Sequence, residues 1–240
     1  PVGHPNYSET FDEAIASLQA ATLEEARSFY EDFWGPQNGT IVIVGDFDEA
    51  EARAVIEESF ADWESPHPFA RVATPFMDIE AQDVEIETPD KANAILWAQQ
   101  NFELRDTDPD YAALMMASEI IGGGILNSRL SERIRDQDGL SYTVQAIIGG
   151  HPVDPAGRFL AVAIFAPENA DKVEAALFEE LQKVLDDGFT AEELEGARQG
   201  WLEGRQLSRA QDPSLAGAVA QNLYFDRTFS FDQELEDRVR

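Results

Sequence analysis

Two runs rich in β-branched and aromatic residues, 140–148 and 158–165, are separated only by a short polar loop. This pairing constrains the fold more than any other feature. Runs that close together pair most simply as antiparallel neighbours, because a parallel crossover needs a dozen or more residues. A second pair precedes it. Val84–Glu87 alternates as a half-buried strand, and residues 92–102 read as another. The segments between the pairs carry helical spacing. A helix passes through Tyr111, Leu114, Met115, Ser118 and Ile121, with Asp108 as its cap and Pro109 at its first position. A short helix follows with Leu130 and Ile134. Val173, Leu177, Leu181 and Val184 form one apolar stripe ended by Gly188. Thr190 with Glu193 is a capping box opening a long helix through Trp201, and Asp212-Pro213 starts another. Paired strands with helices between the pairs predict an α+β fold, a mainly antiparallel sheet with helices packed on one face.

The first third of the chain reads differently. Helical patterns begin at Thr10 and at Thr22, the latter with a capping box to Glu25. A third runs from Ala50 to Phe60. Between them, Ile41–Val44 is the one apolar run, expected as a buried strand. Pro66, Pro68 and Pro75 then mark a linker. One short strand is thin for a complete α/β domain. Residues 1–75 are therefore expected to be the C-terminal part of a preceding module, and residues 76–240 the next module, truncated at its end. The chain begins at Pro1 without an initiator Met and ends inside a helix-like stretch. It is expected to be a piece of a longer protein, whose targeting signal would lie upstream.

Charge excludes several functions. Lys and Arg number 17 against 47 Asp and Glu, giving a formal charge of −30. Such a chain is a poor partner for nucleic acid or anionic membranes. No apolar run approaches the roughly 20 residues of a membrane span. The acids are spread along the chain and lysine is scarce, which suggests surface adaptation to salt; a basic partner is the alternative. Cysteine is absent, so thiolate chemistry and cysteine-ligated metals are excluded.

Candidate chemistry is sparse. His4, His67 and His151 are far apart in sequence and form no metal-binding spacing. Gly122–Gly124 lacks the pattern of a phosphate loop and reads as a break between helices. No G-x-S-x-G is present. Arg135 and Tyr142 are more suggestive. Asp138-Gly139 turns the chain between them, so both side chains could converge on one spot. A guanidinium and a phenol can donate to a peptide carbonyl or a developing oxyanion. The plain alternative pairs Arg135 with a nearby Asp and leaves Tyr142 half-buried.

The stretch from Ile120 to Val144, Ile-Ile-Gly-Gly-Gly-Ile-Leu-Asn-Ser-Arg-Leu-Ser-Glu-Arg-Ile-Arg-Asp-Gln-Asp-Gly-Leu-Ser-Tyr-Thr-Val, resembles the signature of the M16 (pitrilysin/insulinase-like) zinc peptidases. The Thr22-Leu-Glu-Glu opening, the Val44-Gly-Asp-Phe-Asp48 turn and the Asp110-Tyr-Ala-Ala-Leu helix start agree with it. Gly3-His-Pro, Gly188-Phe-Thr190 and Ser208-Arg-Ala-Gln-Asp212 look most like the C-terminal half of long two-half bacterial members. The resemblance implies a clamshell of two homologous halves around a peptide chamber. Zinc would be held in the N-terminal half by H-x-x-E-H and a downstream Glu. Nothing here matches those positions, so this chain is expected to bind no metal and to hold no catalytic residue of its own. An Arg and a Tyr seven residues apart, reaching substrate near the zinc, are implied at Arg135 and Tyr142. The implied function is the substrate-binding, non-catalytic half of a zinc endopeptidase. Its partners would be the N-terminal catalytic half and a peptide or unfolded polypeptide. An inactive scaffold or binding subunit is the alternative. A periplasmic or secreted location is expected from the resemblance, with a cytoplasmic one as the alternative.

Overall fold

The structure is a computed structural model that describes residues 3–4, 7–124 and 128–240. Pro5 of the Gly3-His-Pro start and 125–127 of the signature therefore lie outside the described residues. The chain divides into two compact units. One comprises Pro1–Ala73 with Ala210–Asp226, the other Thr74–Arg209 with Arg227–Arg240.

The first unit is helical: α1 (Phe11–Ala20), α2 (Leu23–Phe33), α3 (Glu49–Phe60) and α7 (Asp212–Tyr224). Thr10–Glu13 and Thr22–Glu25 close capping boxes at α1 and α2, each satisfying orphan N–H groups reciprocally. Tyr30 stacks on Trp34 and Trp63, and Trp63 on Phe60. Ser65 fastens the end of the segment, donating from Oγ to the Asp32 carbonyl at 2.5 Å. The expected strand at Ile41–Val44 is not one. The run is extended but unpaired, and Ile43 is 46% exposed. Apolar β-branched residues favour extended backbone, but only a neighbouring ladder makes that backbone a buried strand. No described residue supplies that ladder.

The second unit holds the sheet. Strands β1 (Ala94–Phe102), β2 (Ser141–Gly149) and β3 (Gly157–Phe165) lie in the order β1-β3-β2, antiparallel throughout. The 140–148 and 158–165 runs do pair as neighbours. The Val84–Glu87 run fails as Ile41–Val44 does; Val84 is 68% exposed and no partner pairs with it among the described residues. Helices α4 (Tyr111–Ser118), α5 (Ala170–Asp187), α6 (Ala191–Arg209) and α8 (Phe229–Val239) complete the unit, with π-helical segments at Glu119–Gly123 and Ser131–Gln137. Asp108 does not cap α4, which begins at Tyr111. Its carboxylate instead accepts the Arg105 N–H at 2.6 Å in the preceding turn.

Period-two alternation decides which sheet face is buried. Val144 and Ala146, with Ala161, Ala163 and Phe165, meet the α5 stripe of Val173, Ala176 and Leu177, together with Leu130 and the π-segment residue Ile134. Ala94, Leu96 and Ala98 of β1 join from the edge of this core. Helices thus cover one face of an antiparallel sheet, the α+β arrangement expected. Gly122 shows how closely they pack: a Cβ there would lie 2.3 Å from the Ala146 backbone N. It is a contact point between helix and strand and not a loose break. A second core joins α4 to α8 through Ala112, Met116, Leu235 and Val239. Beside it, Arg227 grips Asp106 with both terminal nitrogens at 2.6 and 2.8 Å.

Candidate functional site

The segment from Arg129 to Tyr142 is built to aim side chains in two directions. Three arginines lie along it, Arg133 and Arg135 in its π-helical turns and Arg129 just before them. Arg129 donates to Glu193 at 2.6 and 2.9 Å and to the Gly188 carbonyl, and lies over the Phe189 ring. Arg133 pairs with Asp138 and, at 3.2 Å, with Glu179. Both tie the segment down; Arg129 and Arg133 reach α5, α6 and the loop between them. Arg135 differs. Its Nε and Nη2 donate to the carboxylate of the adjacent Asp136, at 2.8 and 3.1 Å. This bidentate pair holds the Arg135 guanidinium above its ordinary pKa, with a smaller contribution from Tyr142, and holds Asp136 below the usual carboxylate range.

Gly139 then takes a positive φ of +63°, which glycine adopts without steric cost. The Leu140 N–H returns to the Ile134 carbonyl at 2.9 Å, closing the turn. The chain enters β2 through a bulge: Ser141 pairs with Phe165 and Thr143 with Ile164, so Tyr142 is the extra residue. The Ser141 hydroxyl fills the gap in the ladder. It accepts the Thr143 N–H at 3.1 Å and lies 2.6 Å from the Ile164 carbonyl. Bulges re-aim side chains and are frequent beside active sites. Here the bulge turns Tyr142 outward, leaving it 91% exposed. A shallow cavity of about 370 Å³ opens beside it, with Asn93, Thr143 and Ile164 in its walls.

The plain reading of the residues was thus half met. Arg135 pairs with an Asp, but Tyr142 is not half-buried. The phenol stands in solvent near a guanidinium. A phenol and a guanidinium can each donate to a carbonyl oxygen or to a negative charge developing on one. Sequence reasoning did not single out Asp136 as the partner or the bulge as the aiming device. The signal for the bulge was Ser141, a hydroxyl able to cap a broken ladder.

The histidines do not gather. His67 stacks on Phe33 at 4.8 Å, and His151 Nδ1 accepts the backbone N–H groups of Val153 and Asp154. Among the described residues no group of three or more His, Asp or Glu could hold a metal ion. The donor set of a zinc site is therefore not met by this chain's described residues, and no step through zinc can be built on them. Among the same residues, no helix is long and apolar enough to cross a membrane.

The described residues thus present an exposed tyrosine at the start of an antiparallel strand, an arginine earlier in the same segment, and no group able to hold a metal ion. The family profile of the Peptidase M16 inactive domain matches residues 20–200, and the chain belongs to the M16 peptidase family, as its inactive C-terminal domain. It is 26% identical over 205 residues to an uncharacterized zinc protease of Streptomyces coelicolor, covering 82% of this chain and 43% of that protein. It is 25% identical over 158 residues to a non-peptidase homolog of Helicobacter pylori, covering 63% of this chain and 34% of the other. The crystal structure of a peptidase M16 inactive domain from Pseudomonas fluorescens superposes with a TM-score of 0.75 at 23% identity, over 93% of this chain and 52% of that one. The chain spans less than half the length of the two curated relatives it matches.

Proposed function

We propose that this chain is the substrate-binding half of a zinc-dependent endopeptidase. Arg135 and Tyr142 contact the substrate or stabilise its transition state beside a zinc held by a separate N-terminal half. The observation that carries the reading is Tyr142. A fold does not push a tyrosine to 91% exposure through a bulge, next to a fixed cation, for packing. A guanidinium and a phenol are both hydrogen-bond donors, which suits stabilisation of an oxyanion. In the same reading, residues 1–75 are the end of a preceding M16-like module and residues 76–240 form most of the next.

The test is turnover with the zinc-bearing half present. Removing one preorganised donor at an oxyanion costs about 10²–10³ in rate. Arg135→Ala is expected to lower kcat/KM in that range and Tyr142→Phe by less, with zinc content unchanged in both. Unaltered turnover in both variants overturns the assignment.

A second reading is favoured by one observation: one relative is described as a non-peptidase homolog. In that reading the chain is an inactive scaffold or binding subunit. A catalytic half lacking H-x-x-E-H, or bound peptide without cleavage, decides for it.

A further inference from the structure

The seven residues Ser131–Gln137 form a π-helix, and two side-chain pairs mark its register. The Gln137 amide donates to the Glu132 carboxylate at 3.2 Å, and the Arg133 guanidinium donates to Asp138; each pair joins residues five apart. In an α-helix the neighbouring side chains are three or four apart, and residues five apart stand about 140° from each other round the axis. Such pairs therefore form only where the turn holds an extra residue. The backbone keeps the same spacing, with the Asp138 N–H meeting the Arg133 carbonyl at 3.2 Å. Turns of this kind are rare, and where they occur they often sit at functional sites. Arg133 is anchored from outside the segment as well. It donates to Glu179 of α5 at 3.2 Å and lies 3.8 Å from Glu180, with its side chain 26% exposed. Glu180 is itself buried and accepts from Lys183 at 2.5 Å. Helix α5 thus fixes Arg133, and Arg133 fixes Asp138 at the end of the segment.

We infer that the Arg133–Asp138 pair is a positioning clip, which holds Ser131–Gln137 in the π register and thereby sets where Arg135 points relative to Tyr142. Relaxation to an α-helix moves the residues past the extra one by one position, about 100° round the axis. Arg135 lies inside the clipped interval and turns with it. Tyr142 does not, because Ser141 and Thr143 on either side of it are paired with β3. A change of register therefore moves one donor and leaves the other in place. Gly139 lies between them with a φ of +63°, and a glycine takes up such a change without steric cost. A partly exposed ion pair contributes little to stability. In catalysis the same pair weighs more, since a misplacement of about 1 Å costs about 10²-fold in rate. The inference rests on the proposed function and deepens it: Arg133 and Asp138 act on the reaction through Arg135 and touch no substrate themselves.

The chain has no cysteine, so engineered thiol pairs read the register directly. Glu132→Cys with Gln137→Cys puts thiols at the π spacing, and Glu132→Cys with Asp136→Cys puts them at the α spacing. On oxidation of the whole chain with diamide, the first pair is expected to close about tenfold faster or more, because only facing positions meet disulfide geometry. Equal rates, or faster closure of the second pair, overturn the inference. Turnover is then measured with the zinc-bearing half present, where circular dichroism shows every variant fully folded. Arg133→Ala and Asp138→Ala are each expected to lower kcat about tenfold or more, with KM changed less than about twofold. The double variant is expected to be no worse than the worse single one, because each removes the same pair. Closing Glu132→Cys with Gln137→Cys in the Asp138→Ala chain, before the zinc-bearing half is added, is expected to restore most of the loss. Unaltered kcat in Asp138→Ala, or a loss that the cross-link leaves in place, overturns the clip. Arg135→Ala reads the proposed function separately. A loss there with unaltered turnover in Asp138→Ala keeps that function and discards the clip; unaltered turnover in Arg135→Ala discards both, whatever the cross-links show.

Discussion

Three capping boxes in this chain are local copies of one another. In Thr10–Glu13, Thr22–Glu25 and Thr190–Glu193 the threonine N–H meets the glutamate at 2.8 Å. The returning glutamate N–H meets the threonine hydroxyl at 3.2–3.3 Å. Yet the first two, in the first unit, stand in solvent, while the third accepts both prongs of Arg129. The Arg129 guanidinium pulls the Glu193 pKa down to about 2, helped by Thr190 and opposed by partial burial. Glu13 and Glu25 are lowered chiefly by their own threonine N–H groups. A local motif starts a helix in any setting; what the helix then contributes depends on what reaches it from elsewhere in the chain.

The same contrast holds for apolar side chains, and there it predicts the largest effect. Ile134 is fully buried between β2 and α5, whereas Ile43 sits in an unpaired, exposed run. Ile134→Ala removes buried methylenes and leaves a cavity, and is expected to cost about 3–4 kcal/mol in urea unfolding. Ile43→Ala is expected to cost less than about 0.5 kcal/mol. A large loss at Ile43 would mean that its run is packed in solution and would break the distinction between the units.

These two isoleucines also show what sequence could and could not give. Periodicity identified both as apolar members of regular segments, and for Ile134 the surrounding pattern held its own partners: the Val173–Leu177 stripe and the 140–148 strand. Periodicity reports that a face wants cover, and not whether cover exists. Ile41–Val44 and Val84–Glu87 therefore read as strands and are not. The site followed the same rule. Arg135 and Tyr142 were named from the turn between them, and their substrate-facing role came only from the resemblance to the M16 signature. Exposure of Tyr142 was not legible, because it depends on a one-residue bulge that alternation alone does not reveal.

The capping boxes give the next, smaller effect, and it depends on pH. Glu193 has a folded pKa of about 2, below its ordinary 4.5. A depressed carboxylate contributes stability that is complete above its unfolded pKa and is lost as pH falls towards the folded one. Glu193→Gln is therefore expected to lower stability at pH 7 and to flatten the loss between about pH 4.5 and 2. Glu25→Gln, lacking an arginine partner, is expected to change that slope much less. Equal slopes in the two variants, measured by urea unfolding at stepped pH, would show that the Arg129 contact is not formed in solution.

Salt should act on both units alike, with the smallest effect per residue. The carboxylates that make up the −30 charge run along the whole chain, and many stand on solvated helices such as α3 and α6. Like charges at that density repel across the folded surface, and a Debye length that shrinks from about 10 Å at 0.1 M to about 3 Å at 1 M weakens the repulsion. Stability is expected to rise by about 1 kcal/mol or more between low salt and molar NaCl. The Arg129–Glu193 and Arg227–Asp106 pairs work against that rise, since salt screens attraction too, but both are largely shielded from solvent and lose less. Repulsion among exposed acids therefore sets the sign. A stability that stays flat across that range would remove surface adaptation as the reason for the acid excess and leave a basic partner to explain it.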